Sequence, residues 1–481
     1  MSAIQLAVII FISITLVIGF LSYLKIKGSA VNYYKAGATM PAWIIGITLC
    51  AQAFDANGSM GSASMGYEMG FWAGASIPIG LSICLLITGL FFARPIHKMN
   101  LMTLPDFYGR RYNKKTETVA SLSMLLSNII LIAGNLAGLG LLLSLIFNIQ
   151  YIISLTIISL LILLYAISGG FVASINTSVF QVFIFIFGIL LSFFWLTTKY
   201  GWYDSMASVP ESYKNMDGLF KIESGALNNW AAIISMALGD IVAIDFIQRV
   251  ISSKSPKAAQ RGCYIGSFLT LAIGIPAVLI GLYSFKLGKI VKSDLLVDIA
   301  LNNVPEMVGI FLILGIIGAS MSTAAGVVLD LSNVLTRNLL QRYLKGIDNN
   351  KKLLGLARLI ALPTMFFATL VAYYHPKPGI LLILAFDMVL AGCFVPLVLG
   401  IYWKKANSRA AFISIISGAL LRVALYYIIP ENYSGLDTIL TPIIIGLLFI
   451  FISIQTQDIS KPKFDMIDYV PDEKDLIKGA Y

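Results

Sequence analysis

The chain has 481 residues, 58% of them hydrophobic and 12% charged, with a mean hydropathy of +0.86, which excludes a soluble globular domain and places the chain in lipid. A formal net charge of +10 would suit a nucleic-acid partner. The basic residues concentrate in alternate loops, however, so they report membrane topology and no nucleic acid is expected.

Apolar runs of about 20 or more residues recur from end to end, each long enough to cross a hydrocarbon core of ~30 Å as a helix. In chain order they predict about thirteen spans, at residues 3–24, 41–66, 71–94, 118–147, 149–168, 171–198, 228–251, 262–285, 306–336, 354–374, 378–403, 408–429 and 436–456. The first has no basic start and no small-x-small site before Lys25, so it reads as a retained helix rather than a signal peptide. With the N-terminus outside, the inner loops hold Lys25, Lys27 and Lys35; Lys98, Arg110, Arg111, Lys114 and Lys115; and Lys254, Lys257 and Arg261. Further along they hold Arg337, Arg342, Lys345, Lys351 and Lys352, then Lys404, Lys405 and Arg409. The outer loops hold few, such as Lys199, Lys214, Lys221 and Lys286. This pattern predicts a multi-pass membrane protein with a cytoplasmic C-terminus, and the lack of sorting segments fits the plasma membrane of a bacterium, its inner membrane.

The longest loops, 199–227 outside and 337–353 inside, are too short for a catalytic domain, so the chemistry lies within the membrane and no enzyme is expected. Cys50, Cys84, Cys263 and Cys393 are scattered through apolar spans without metal-ligand spacing and read as small buried hydrophobes. His97 and His375 have no partners that would suggest catalysis.

Transporters built from inverted repeats place broken helices at matching positions in two halves, because unwound backbone in the membrane is tolerated where it lines a cavity. The second span contains the polar, Gly-bearing stretch Ala51-Gln-Ala-Phe-Asp-Ala-Asn-Gly-Ser59, and the seventh contains Ala237-Leu-Gly-Asp240. These two interruptions lie in register. The predicted organisation is therefore 1–40 as an extra N-terminal helix and inner loop, 41–200 as a first five-helix repeat, and 201–405 as an outer loop and second five-helix repeat. Residues 406–456 form two peripheral helices and 457–481 a cytoplasmic tail. Taken singly, each interruption also reads as a small-residue packing face.

Several stretches carry a resemblance. They are Gly61-Ser-Ala-Ser-Met-Gly-Tyr67, Thr103-Leu-Pro-Asp-Phe-Tyr-Gly-Arg-Arg111, and the opening of the sixth span from Gly169 to Gln181. The exit of the seventh span follows, Gln248-Arg249 with Lys254-Ser255 and Ala259-Gln-Arg-Gly262, and then the exit of the eleventh from Gly400 to Ala410. In that order they resemble the sodium:solute symporter family, which includes bacterial proline, sugar and sialic acid symporters, over nearly the whole chain. The resemblance implies an all-α membrane protein with a leucine-transporter-type core of five plus five helices, an extra N-terminal helix, and alternating access around a central site. It also implies a sodium site between the first and eighth core helices.

The eighth core helix reads Ala319-Ser-Met-Ser-Thr323, matching the family's Ala-x-x-Ser-Ser/Thr. A hard cation needs several oxygens, and residues at i, i+3 and i+4 share one helix face, so the Ala319 carbonyl and the Ser322 and Thr323 hydroxyls can converge. Alternatively the hydroxyls bond back to their own helix. The resemblance supplies the facing ligands, the carbonyls of Ala51 and Phe54; a two-residue slip would make them Ala53 and Ala56. Members with a second sodium site resemble one another in an acid directly after the position of Thr177 and in further hydroxyls on the eighth core helix. Here those positions are Ser178, Ala325 and Gly326, which implies a single Na+ as coupling ion.

Ionisable groups in the membrane are functional by default. Asp55, Asp240 and Asp387 fall at or beside breaks and are expected to line the solute cavity, with helix capping as the alternative role. Asp245 can pair with Arg249 at i,i+4, and Asp330 is expected at an inward aqueous vestibule. Few intramembrane cations oppose these acids, chiefly Arg422 in the twelfth span. An acid ionised without a protein cation calls for a solute that brings the positive charge, an amino acid, amine or quaternary ammonium. Sugar is disfavoured because positions where sugar symporters resemble each other in carrying Asn and Gln are Ala53 and Gly58 here. Asn128 and Asn135, on one face of the fourth span, either reach the cavity or join helices. The expected solute-binding set is Asp55, Asn57, Gly58, Asn135, Gly239, Asp240 and Asp387. Glu68 is expected near the outer mouth, and Tyr67 and Trp72 as interface anchors. The expected partners are a small-molecule solute and membrane lipid, with a monomer sufficient for transport. Two rival readings predict differently: a passive conduit for a neutral solute needs no sodium ligands, and a transporter-like receptor needs a signalling module that the tail beyond Gln457 does not carry; proton coupling through Asp55 is a variant of the symport reading.

Overall fold

The computed structural model describes residues 2–26, 39–288, 295–340 and 350–457. The inner-loop residues Lys27, Lys35, Arg342 and Lys345, the side chains of Lys25, Lys351, Lys352 and residues 168–176, and the tail from 458 lie outside that description. The fold is helical, and among the described residues the extended pairing amounts to one parallel bridge, Met40 with Ser253.

The main helices, short turns of helix in the loops aside, are α1 (Ala3–Ile26), α2 (Ala42–Ala53), α3 (Ala56–Met69), α4 (Phe71–Lys98), α5 (Pro105–Arg111), α6 (Lys114–Phe147) and α7 (Tyr151–Tyr200). Then come α8 (Ala226–Val242), α9 (Ile244–Ile251), α10 (Pro256–Leu287), α11 (Leu295–Asn302) and α12 (Glu306–Leu340). The last are α13 (Asn350–Tyr374), α14 (Pro378–Tyr402), α15 (Ser408–Ile428) and α16 (Leu436–Gln455). Local chemistry sets their ends. The Asn113 side chain accepts from Thr116 N–H (2.9 Å) at the start of α6, Ser255 Oγ from Ala258 N–H (3.1 Å) at α10, and Asn407 from Ala410 N–H (2.9 Å) at α15. Between α3 and α4 the chain turns on Gly70 alone, at φ +98°, a conformation that a side chain would oppose.

Nine helices among the described residues are long and apolar enough to cross a membrane, ten if the bent pair α8 and α9 counts as one. Three shorter apolar helices, Ala3–Ile18, Ala42–Ala53 and Tyr151–Ile167, lie where the first, second and fifth spans were expected. The predicted fifth and sixth spans belong to one helical run, α7. Both its ends lie on the same face of the protein, and the hydroxyls of Tyr165 and Thr177 meet at 2.5 Å. Twelve residues of straight helix would separate them by ~18 Å, so the run bends back on itself.

Turns at 99–113, 252–255 and 403–407 gather on one face, which also carries most of the described Lys and Arg residues of the loops. There Met40 N–H donates to Ser252 O (3.2 Å) and Arg111 Nε to Gly400 O (2.8 Å). The Thr103–Arg111 stretch is a clamp on this basic face. Asp106 accepts from Met102 N–H and Thr103 N–H, both at 3.0 Å. The amide of Asn338, at the end of α12, donates to Asp106 (2.8 Å) and Glu117 (2.7 Å). Burial pushes the Asp106 carboxyl up, but Arg337, the Asn338 amide and the backbone donors outweigh it and hold the group below the usual carboxylate value. On the opposite face Tyr213 Oη donates to Glu68 O (2.8 Å) and Trp72 Nε1 to Asn215 O (3.0 Å).

Within the bundle, 94% of the membrane-crossing stretch of α12 is buried, against 22% for α15, so α12 is the central helix and α15 lies at the periphery. Helix α12 packs along α7 and touches both halves of the broken second span.

Candidate functional site

Both predicted interruptions are real breaks. The second span stops at Ala53, passes through Phe54 (φ −130°, ψ 76°) and Asp55 (φ −100°, ψ −153°), and restarts at Ala56. The seventh passes from α-helix through a π turn (Ser235–Gly239) and a 3-10 turn (Asp240–Val242) to extended Ala243, and bends by 51°.

The first break frees backbone groups. Gly58 N–H, which a continuous helix would direct to Phe54 O, goes to Asp55 Oδ1 at 3.2 Å. Asp55 is thus the N-cap of α3, and its Oδ2 is buried without a hydrogen-bond donor. The Ala51 carbonyl accepts from the Thr323 hydroxyl of α12 at 3.1 Å. One turn away Ser322 Oγ donates to Ala319 O at 3.0 Å, so this hydroxyl does bond back to its own helix. The two contacts draw Ala51, Ala319, Ser322 and Thr323 into one buried oxygen cluster between the second span and α12, with Phe54 at its edge. Ser320, absent from the predicted set, accepts from Ala56 N–H at 2.7 Å and completes the cap of α3. Its hydroxyl was visible within the motif, but its partner lies 264 residues away.

Around the break, Asn57 Nδ2 donates to Leu131 O (3.2 Å) and Asn135 Nδ2 reaches the same carbonyl (3.4 Å). Asn135 also faces the Asp55 carboxylate. Gly134 makes room for this, since a Cβ there would stand 2.3 Å from Asn57 Oδ1. Asp240 is 0% exposed, and neither carboxylate oxygen has a hydrogen-bond partner. It lies within electrostatic reach of Asp55 and Asp245, with the Cys84 thiol facing it in a geometry short of a hydrogen bond. The structure therefore brings Asp55, Asn57, Asn135 and Asp240 together.

Other expected positions behave differently. Gly58 packs under the Phe54 ring, and Gly239 is a close crossing, where a Cβ would be 2.3 Å from Phe386 O. Asp387 turns away from the cavity. Its Oδ2 lies 2.6 Å from the Arg422 guanidinium and accepts from Thr438 Oγ1 (3.2 Å), while Arg422 also binds Asp437 (2.5 Å). The peripheral helices supply the cation that the sequence reading left unassigned to it. Asn128 bonds back to Met124 O (2.7 Å). Asp330, expected at an aqueous vestibule, is 2% exposed and faces Arg249. Arg249 Nη1 donates to the backbone carbonyl of Asp245 (2.9 Å), with both carboxylates in electrostatic reach of the guanidinium. Gln52, also absent from the predicted set, is 4% exposed and turns towards Asp245.

On the loop-rich side a cavity of about 280 Å³ is lined by Met60, Ser64, Tyr67 and Glu68 of α3 and by Lys377 and Gly379. Glu68 is thus at a mouth on that face. Beside it α3 and α14 cross backbone to backbone, since a Cβ at Gly61 would lie 2.5 Å from Gly379 Cα.

Broken spans facing the hydroxyls of an unbroken central helix, with buried acids between them, are the arrangement found in membrane transporters. The family model for the sodium:solute symporter family matches residues 33–418, and the chain belongs to that family. It is 24% identical to a sodium/glucose cotransporter of Vibrio parahaemolyticus, over 89% of this chain and 85% of that one. It is 26% identical to the human high affinity choline transporter 1, over 87% of this chain and 76% of that one. The fold matches that of a Na+-coupled sialic acid symporter in its substrate-bound outward-open state, with a TM-score of 0.80 at 18% identity, over 96% of this chain and 99% of that one.

Proposed function

We propose that the chain carries a small polar organic solute bearing a positive charge, an amino acid, amine or quaternary ammonium, together with one sodium ion by alternating access. The observation that carries this reading is the Ala51–Thr323 contact at the first break, with Ala319 and Ser322 beside it. Remove the Thr323–Ala51 hydrogen bond and the same oxygens, with the Phe54 carbonyl, point at one cation. A single sodium is supported by Ser178 in place of the acid, and Ala325 and Gly326 in place of the further hydroxyls, that a second site would use. The positive charge of the solute is supported by Asp240, enclosed without a donor near Asp55, and by the choline transport named for the human relative. Asp387 does not contribute, because Arg422 satisfies it.

The basic face is the cytoplasmic one, which puts the N-terminus outside and the C-terminus inside. The two halves, 41–200 and 201–405, act as the repeats that move against each other. Sodium favours the outward-open form and raises solute affinity, and linkage requires the solute to raise sodium affinity by the same factor.

The test is thermal stabilisation of the purified protein by a metabolite panel in sodium and in potassium. Cationic or zwitterionic compounds should stabilise in sodium alone. Stabilisation by neutral or anionic compounds alone, unaffected by Asp240→Asn, would overturn the solute class, and equal stabilisation in potassium would overturn sodium coupling.

A further inference from the structure

Towards the basic face from the sodium ligands lie charges that the reading above leaves unused. Asp330 follows Thr323 by seven residues on α12, about two turns and ~10.5 Å, on the same helix face. Asp245 opens α9, which packs against both α2 and α12. The Arg249 guanidinium is within electrostatic reach of both acids. Gln52, the neighbour of the sodium ligand Ala51, turns its amide towards Asp245.

This group is enclosed: Asp245 is 1% exposed, Asp330 2%, Arg249 1% and Gln52 4%. Both carboxylate oxygens of Asp245, Oδ2 of Asp330 and both amide atoms of Gln52 lack a hydrogen-bond partner. Two carboxylates against one guanidinium leave one surplus negative charge, and a buried surplus charge is costly until a cation joins it. Sodium leaving the Thr323 cluster for the basic face is such a cation, and carboxylate and amide oxygens suit a hard ion. A storage site would look different. No three His, Cys, Asp or Glu side chains gather to hold a metal among the described residues, and the Arg249 charge repels the ion, so residence here is brief.

We propose that Asp245 and Asp330, assisted by the Gln52 amide oxygen, form a transit site that passes sodium from the Ala51–Thr323 cluster to the basic face. The inference rests on the sodium-site reading above. A transit group lowers the barrier in both directions and leaves the end states alone, so its removal changes rates and not the equilibrium.

The test uses the full-length protein in detergent, with sodium-22 binding at equilibrium and stopped-flow tryptophan fluorescence on mixing with, or dilution from, sodium in potassium buffer. In Asp330→Asn, association and dissociation should both slow about tenfold, ~1.4 kcal/mol on the barrier, while the equilibrium Kd stays within about twofold. Asp330→Glu should restore both rates, which a merely misfolded site would not allow. Unchanged rates, or a weakened Kd with unequal rate changes, would overturn the transit role. A sodium count falling from two per chain to one would also overturn it, by making this a resident site. Wild-type protein that binds no sodium-22 would sink the symport reading itself, an outcome distinct from all of these.

Discussion

Thr323→Val removes one oxygen from the proposed sodium site and keeps the branched shape of the side chain. In the structure its hydroxyl donates to Ala51 O at 3.1 Å, fully buried, and that neutral bond is worth about 1 kcal/mol. With sodium in the proposed site the same oxygen would face a full charge, an interaction worth ~1.5–3 kcal/mol. Binding reports the difference, about 0.5–2 kcal/mol, which is a Kd weakened roughly 2- to 30-fold. Thr323→Ser keeps the oxygen and should bind close to wild type. The assay is sodium-22 binding, or the rise in melting temperature with sodium at fixed ionic strength. Valine binding sodium as tightly as threonine would refute the assignment. So would serine weakening binding as much as valine, because the effect would then come from packing.

Three further outcomes follow from particular contacts. Arg422→Met should lower stability by about 3–5 kcal/mol, because it strands the buried carboxylates of Asp387 and Asp437; thermal unfolding measures it, and adding Asp387→Asn and Asp437→Asn should recover most of the loss. Gly134→Ala places a Cβ 2.3 Å from Asn57 Oδ1, so solute affinity in sodium should fall with a stability cost of about 1–3 kcal/mol; unchanged affinity would remove Asn57 from the proposed solute site. Asp106 has its folded value depressed, so its contribution is fully present above the unfolded value of about 3.9 and is lost as pH falls through the folded value. Melting temperatures of Asp106→Asn should therefore lie below wild type at pH 5–8 and converge on it below about pH 4; a gap of constant size down to pH 3 would show that the clamp does not depend on that charge.

Much of the candidate site's geometry was legible because its signals are local. The breaks announced themselves as polar and glycine residues inside apolar runs, and the hydroxyl set as an i, i+3, i+4 pattern on one helix. Helical periodicity alone turns such spacing into a shared face. The apolar runs likewise marked the helices that the structure shows, since lipid requires each spanning segment to satisfy its own backbone.

What the sequence could not hold was the choice of partner. Asp387 and Asp240 look alike along the chain, acids in apolar surroundings, yet Arg422 reaches the first and no donor reaches the second. Ser320 caps a helix 264 residues away, and Gly134 matters through the space Asn57 fills. The second span and α12 had to pack before the Thr323 hydroxyl could meet the Ala51 carbonyl, and the opening feature, a chain too apolar for water, says nothing about which helices do so. Partition into the membrane is a property of composition, readable along the chain, whereas the burial and pairing of a charge depend on distances between helices, which tertiary packing alone decides.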